Sequence, residues 1–511
     1  MSSNKSLIFV FLFGLTIFTR FIKLNWGNNF FFNPDENNMA NSVLQINKQN
    51  LDPNFYAYGQ FPLYLTFFTT PKHDFKNIIL TLRFWSAFFS SASLYIFYLI
   101  GQKIFKQKKY SSIFVLLLIF TPGLIQLSHF GTTESILLFV FAVNILLSFK
   151  IYDHKNLKYL ILASIISGIG LATKVSSLIL TTPVFLCLLF LSFKKHNFWR
   201  FVWSSTLFIS LTILVGIILS PYNLINFSEF ISTMKYEVGV ATGQIPVFYT
   251  RQFIGSLPYL FQLQKIFPYA NGIFIFIFGF AGFCLILESW IKNHKLNIYL
   301  LITLFPCLIY FIYQGQLFTK WTRFMSPIFF VFPLISIFFI KKIKSTLLLC
   351  LIIFISILPG IYFMKIYFVP DIRVQATEWI NKNIPPSSQV LSESGNVVDL
   401  PLLGDLITVN NFDFYGLDIS FAKLNKLNQL IEQSDYIFIP SRRVFKNQNN
   451  QEFPYSQKYY QNLFSNQSNF NISKTFSNNN SLFLNSENAE ETWSVFDNPT
   501  IRIFSKTNPN Q

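Results

Sequence analysis

The sequence predicts a polytopic α-helical membrane protein that ends in a small, water-facing α/β domain. Three observations carry that prediction. Of 511 residues, 52% are hydrophobic and 12% charged, with mean hydropathy +0.42, about half the charge that soluble domains carry. The apolar residues fall in runs near the length that crosses a bilayer as a helix. Short basic loops separate alternate runs, and beyond about residue 363 the runs stop.

Hydropathy places spans near 6–25, 84–101, 111–128, 133–149, 159–173, 176–193, 201–220, 272–291, 297–313, 325–340 and 345–363, about eleven in all. The segment 159–173 is short for a span. The first run lacks the small-residue cleavage site of a signal peptide, so it reads as a retained helix. Residues 1–363 form a membrane domain with two long loops, 26–82 and 221–271.

The formal charge of +17 follows from topology. Alternate loops hold Lys103, Lys106, Lys108 and Lys109; Lys150, Lys155 and Lys158; Lys194, Lys195 and Arg200; Lys292 and Lys295; and Lys341, Lys342 and Lys344, against the single acid Asp153. Short basic loops face the cytoplasm. The expected arrangement is therefore a multi-pass plasma-membrane protein with its N-terminus inside and everything after 363 outside. The charge needs no nucleic-acid partner.

Cys187, Cys284, Cys307 and Cys350 lie in apolar spans and the tail has no cysteine, so no disulfide framework is expected. Abundant Phe, Ile, Asn and Lys read as a coding bias, which removes weight from runs such as Asn478-Asn479-Asn480. The tail, 364–511, alternates helix and strand. Ala376, Trp379 and Ile380 recur at helical spacing until Pro385-Pro386, and strands follow at Ser388–Glu393 and Asp435–Pro440. Residues 459–465 look helical and 500–505 form a last strand, the pattern of an α/β domain.

Every second loop should face outward, and those loops hold most of the unusual polar residues. They contain Asp35 and Glu36; His129 and Glu134; Lys174; Tyr236, Glu237 and Arg251; and Lys320 and Arg323. Ionisable groups at the edge of the hydrocarbon are costly and mark a pathway or site. Carboxylates and cations at one membrane face suit transfer from a lipid-linked donor. Cations neutralise a leaving phosphate, and a carboxylate takes the proton of an attacking hydroxyl.

Asn33-Pro34-Asp35-Glu36, followed by Ala40 and Leu44-Gln45-Ile46, resembles the first-loop motif of the GT-C membrane glycosyltransferases. The nearest branch holds protein O-mannosyltransferases and bacterial aminoarabinose transferases. Further matches are Phe61-Pro62-Leu63-Tyr64, Arg83, the Glu134 region, 168–174 (GIGLATK) and 321–327 (WTRFMSP), in the family's order over most of 1–363. The resemblance implies a GT-C fold, a polyprenyl-phosphate sugar donor and an inverting mechanism. It also implies Asp35 as base with Glu36 beside it. Two departures stand out. Many relatives carry a lysine where this chain has Gln60-Phe61, so the donor phosphate would rest on Lys174, Arg251 or Arg323. Relatives often have Asp at the position of Glu134. The stretch 490–504 is similar to the C-terminal module of bacterial members.

Plainer readings compete. Asp35-Glu36 also suits the start of an interfacial helix, Lys174 a topology anchor, and Arg323 a snorkelling cation. His129 and Glu134 suit helix ends, and Tyr64 and Tyr58 suit packing or sugar stacking. The five histidines show no metal-ligand spacing, and adjacent Asp35 and Glu36 make a weak divalent-metal site, so no cofactor is firmly implied and a divalent metal stays open without support from ligand spacing. No glycine-rich phosphate loop is present, which argues against a nucleotide sugar. The expected partners are a lipid-linked donor, membrane lipids, and a lipid, glycan or protein acceptor. A flippase of lipid-linked sugars would want mid-membrane charges and related halves, and a non-catalytic scaffold would tolerate loss of Asp35.

Overall fold

The computed structural model describes residues 3–293, 297–393, 399–401, 407–448, 451–465, 467–478 and 483–507. Lys295 and Asn479-Asn480 lie outside the described residues. The chain divides into two compact units. One comprises Met1–Leu24, Asp35–Ala241 and Pro258–Met364; the other comprises Asn25–Pro34, Thr242–Leu257 and Lys365–Gln511.

The first unit is helical. It opens with α1 (Ser3–Phe21), α2 (Pro34–Gln45), α3 (Phe61–Thr69), α4 (Phe75–Phe105), α5 (Lys108–Ile119), α6 (Pro122–His129), α7 (Glu134–His154) and α8 (Leu157–Leu171). It continues with α9 (Thr182–Lys195), α10 (Phe198–Leu219), α11 (Tyr222–Ile225), α12 (Phe227–Thr242) and α13 (Phe267–Ala270). It closes with α14 (Ile273–Asn293), α15 (Ile298–Gly315), α16 (Val331–Ile340) and α17 (Thr346–Phe368).

Among the described residues seven helices are long and apolar enough to cross a membrane, or up to nine if each of two bent pairs is one span. The remaining two predicted spans correspond to shorter apolar helices, Val10–Phe21 and Leu157–Leu171. The bends have local causes. The α5–α6 pair turns by 56° where Pro122 opens α6. A proline there lacks the N–H that would continue the ladder. The buried guanidinium of Arg20 reaches the carbonyls at this break, its NH1 donating to Ile119 at 2.9 Å and its NH2 to Leu118 at 3.0 Å. A 3-10 turn, Thr322–Ile328, containing Pro327, meets α16 at 50°.

The second unit is an α/β domain. Its helices are α18 (Ile372–Asn383), α19 (Phe421–Gln433), α20 (Arg443–Asn447) and α21 (Pro454–Phe464). The strands are β1 (Gln389–Glu393), β2 (Thr408–Phe412), β3 (Tyr436–Ile439), β4 (Phe470–Phe476) and β5 (Ile501–Lys506), in the order β2-β1-β3-β5-β4 among the described residues. The β2–β1–β3 part is parallel and β3–β5–β4 antiparallel. Side chains alternate across the sheet. Leu391, Ile437, Ile439 and Phe504 join one core with Leu427 and Leu463, while Val390, Phe438, Ile501 and Ile503 join another with Ile372, Ala376 and Ile380.

Two loop segments belong to this unit for identifiable reasons. Arg251 donates from NH1 to the Tyr415 carbonyl at 2.9 Å and to Gln448 Oε1 at 2.7 Å, and its guanidinium lies 4.5 Å from the Phe453 ring centroid. Gln252 and Glu490 are hydrogen-bonded side chain to side chain. Arg373, clamped by Asp371, lies 3.4 Å over the ring of Phe32.

Candidate active site

Pro34 starts α2, so Asp35 and Glu36 occupy its first turn, where the helix dipole favours carboxylates. One step along a helix turns a side chain by about 100°, and the two neighbours meet different surroundings. Glu36 is buried. Its Oε1 accepts from Arg83 Nε at 3.0 Å and from the Gly131 amide at 2.6 Å, and its Oε2 accepts from Arg83 NH2 at 2.7 Å. Arg83 also donates to the Leu24 carbonyl at 2.8 Å. This pair knots α2 to α4 and to the α6–α7 connection. A Cβ at position 131 would lie 2.6 Å from that of Leu82, so a glycine lets the amide come this close.

Asp35 faces a wetter place. Its Oδ2 pairs with Arg323 NH1, with both side chains about one-fifth exposed (19% and 21%). Its Oδ1 accepts from the Tyr58 hydroxyl at 3.3 Å. Lys174 stands alongside, its Nζ 5.1 Å from the Tyr58 ring centroid and 5.2 Å from that of Phe324. Among the described residues Lys174 makes no ion pair with a carboxylate within 4.0 Å. The guanidinium of Arg323 lies 5.2 Å from the Trp321 ring and 5.9 Å from that of Phe324. Two cations and one carboxylate thus gather around an aromatic frame.

The backbone sets this frame. The stretch 59–61, which leads into α3, docks on the turn after α8, with Gly59 N donating to the Thr173 carbonyl at 2.9 Å and Phe61 N to that of Ala172 at 3.0 Å. A Cβ on residue 59 would fall 2.1 Å from the Ala172 carbonyl oxygen, so only glycine admits the contact. Gln60 locks the loop from the other side. Its amide nitrogen donates to Asn223 Oδ1 at 3.1 Å, its Oε1 accepts from the Tyr222 amide at 2.9 Å, and its backbone N–H donates to Ser220 Oγ at 3.0 Å. Phe324 is held by the Tyr310 hydroxyl, which donates to its carbonyl at 2.7 Å.

Two further carboxylates border the cluster. Glu134 heads α7 and is buried; its Oε1 accepts from Thr133 at 3.5 Å, and its Oε2 has no hydrogen-bond partner among the described residues. Burial pushes the Tyr58 hydroxyl well above the usual tyrosine range, and the charges of Glu134 and Glu237 add to that. Desolvation raises the Glu237 carboxyl against the opposing pull of Lys174.

Several expected members fall elsewhere. Glu36 is engaged at both oxygens by Arg83 and Gly131, so its carboxylate belongs to that buried knot. His129 is buried, with Nδ1 2.8 Å from the Ile125 carbonyl and Nε2 2.8 Å from that of Ile22, so both ring nitrogens face backbone. Arg251 belongs to the second unit, where Tyr415 and Gln448 occupy its guanidinium. Tyr64 lies on α3. Its hydroxyl is pushed up by burial and by neighbouring Tyr222, Asp52 and Tyr56, a group that includes the Asp52–Tyr56–Asn226 hydrogen bonds. Sequence reading passed over Phe324, Tyr310 and Arg20. Of these, Arg20 alone carries a signal, as the lone charge closing an apolar run.

Residues 75–221 match the family model for dolichyl-phosphate-mannose-protein mannosyltransferases. The chain is similar in fold to the oligosaccharyltransferase of Archaeoglobus fulgidus, solved in the apo form, with a TM-score of 0.52 at 14% identity over 88% of this chain and 72% of that one. It also aligns with the ArnT protein of Cupriavidus metallidurans bound to undecaprenyl phosphate, with a TM-score of 0.46 at 10% identity over 86% of this chain and 93% of that one. No curated protein matches the sequence. The chain thus shares its fold with the archaeal oligosaccharyltransferase, and its segment 75–221 is similar to the mannosyltransferase family model.

Proposed function

We propose that the chain is an inverting glycosyltransferase that moves a hexosyl or pentosyl group from a polyprenyl phosphate to a lipid, glycan or protein hydroxyl at the extracytoplasmic membrane face. The observation that carries this reading is the convergence of Asp35, Arg323 and Lys174 on the frame of Tyr58 and Phe324. The matched family is named for a dolichyl-phosphate sugar donor, which supports the donor class.

In this reading Arg323 and Lys174 receive the donor phosphate. Arg323 exchanges Asp35 for phosphate oxygens, which frees the carboxylate beside the acceptor. The acceptor hydroxyl gives its proton to Asp35 as its oxygen bonds to the anomeric carbon. The bond from that carbon to the phosphate oxygen breaks, and polyprenyl phosphate leaves with the electron pair, its charge held by the two cations. One displacement inverts the anomeric centre. Glu134, which borders the cluster, acts around the sugar or acceptor rather than at the phosphate.

The test is mass spectrometry of lipid-linked and surface glycans from cells with the gene, without it, and carrying Asp35→Asn. The expected result is a sugar missing without the gene, restored by the native chain and absent with the variant at equal membrane abundance. Restoration by Asp35→Asn removes Asp35 from the base role.

A further inference from the structure

The far end of α7 from Glu134 carries a second feature. The helix runs 21 residues, about 31 Å at 1.5 Å per residue, close to the thickness of a bilayer's hydrocarbon. There the α7–α8 connection, the last turns of α9 and the start of α10 enclose a cavity of about 90 Å³. Its floor is apolar, formed by Leu160, Leu188, Leu191 and Phe201, and its rim carries Lys155 and Arg200. Neither cation forms an ion pair within 4.0 Å among the described residues, and both are exposed.

Further details point to what fits. Asn156 and Asn197 cap the starts of α8 and α10, accepting from the amides of Lys158 and Arg200, so two positive helix ends border the same cavity. Leu157, which lines the cavity, is exposed, as are Trp199 and Trp203, the chain neighbours of the lining residues Arg200 and Ser204. Tryptophan at a helix end beside lysine and arginine is the signature of the headgroup level of a membrane. A ligand for this place has a negative head for the cations and an apolar chain for the leucines.

We infer that this cavity binds one anionic phospholipid, its phosphate between Lys155 and Arg200 and an acyl chain against Leu160, Leu188 and Phe201. Basic pockets between membrane helices take such headgroups. The site is distinct from the Asp35 cluster and does not depend on the reaction assigned to it.

The test is native mass spectrometry of the full chain released from detergent with phosphatidylglycerol or phosphatidylcholine at equal mole fraction. Retention of one phosphatidylglycerol and little phosphatidylcholine is expected. Lys155→Ala with Arg200→Ala should lower retention roughly 25-fold, from about fivefold per cation near an anionic surface. Ser204→Trp, which fills the cavity from its lining and leaves both cations, should also lower it. Lys108→Ala with Lys109→Ala, two basic residues outside the cavity, should leave it unchanged. Equal retention of phosphatidylcholine, native retention by either cavity variant, or an equal loss in the Lys108 and Lys109 control overturns the inference.

Discussion

Asp35 and Glu36 are adjacent, and each pairs with an arginine from a distant part of the chain, but the two pairs differ in one physical respect. The Glu36–Arg83 side chains are fully enclosed (0% exposed), whereas Asp35 and Arg323 are each about one-fifth open. An enclosed pair has no water to fall back on, so losing one partner strands a buried charge. A half-open pair can trade partners, because solvent or a ligand compensates either side. The closed pair holds the helices together; the open one is suited to receive a ligand.

The sharpest way to break this comparison is to neutralise one carboxylate at a time. Asp35→Asn should lower transfer by about 10²- to 10⁴-fold, the usual weight of a general base. Its thermal stability should change by less than about 1 kcal/mol, as for other partly exposed pairs. Activity assays beside thermal melts of purified protein separate the two effects. A melt that collapses with the activity would make Asp35 structural.

Glu36→Gln should invert that pattern. It leaves the Arg83 guanidinium buried against a neutral amide, which costs about 3–5 kcal/mol and should appear as lost folded yield and a lowered melting point. Any folded fraction should retain transfer per molecule. A stable, inactive Glu36→Gln protein would instead put Glu36 at the chemistry.

The contrast between these neighbours marks how far the sequence could be read. Spans are legible because each must satisfy its own backbone in lipid, and all eleven predicted runs are helical, with two divided by bends. The tail's helix and strands are legible from period and prolines. Side-chain partners are another matter. Nothing local to Asp35-Glu36 says which carboxylate turns inward, because that depends on Arg83 and Gly131 arriving from elsewhere. Arg251 looked like a site cation because loop position was the available guide, and its bonds to Tyr415 and Gln448 are tertiary. Lys174 stands out in the sequence because basic residues are sparse around it, and Arg323 because it lies within the 321–327 match; a phosphate contact by either belongs to the proposal.

Gly59 sharpens the same comparison by disturbing the frame of the open pair alone. Gly59→Ala drives a Cβ into the Ala172 carbonyl, so the 59–61 stretch must lift and carry Tyr58 away from Asp35 and Lys174. A displacement near 1 Å can cost about 100-fold in rate, while overpacking at a loop contact costs about 1–3 kcal/mol. Transfer should therefore fall far more than the melting point. Gly131→Ala, aimed at the closed pair, should show stability loss as its main effect.

The smallest expected effect concerns Glu237, which borders the open cluster and is itself exposed. Desolvation outweighs the pull of Lys174 and holds its carboxyl above the ordinary glutamate value, about 4.3. The folded state thus binds its proton more tightly than the unfolded state does, so this group makes stability fall as pH rises. The decline begins near the unfolded value and is complete once pH passes the raised folded one. Glu237→Gln removes the titration. Its melting point should match the native protein below the window and lie slightly above it at neutral pH, by less than about 1 kcal/mol for a surface position. Melts at pH 4 and pH 7.5 measure the difference. A variant less stable at the higher pH would mean that attraction to Lys174 outweighs desolvation, and that the open cluster holds a tighter carboxylate–ammonium contact than its aromatic frame implies.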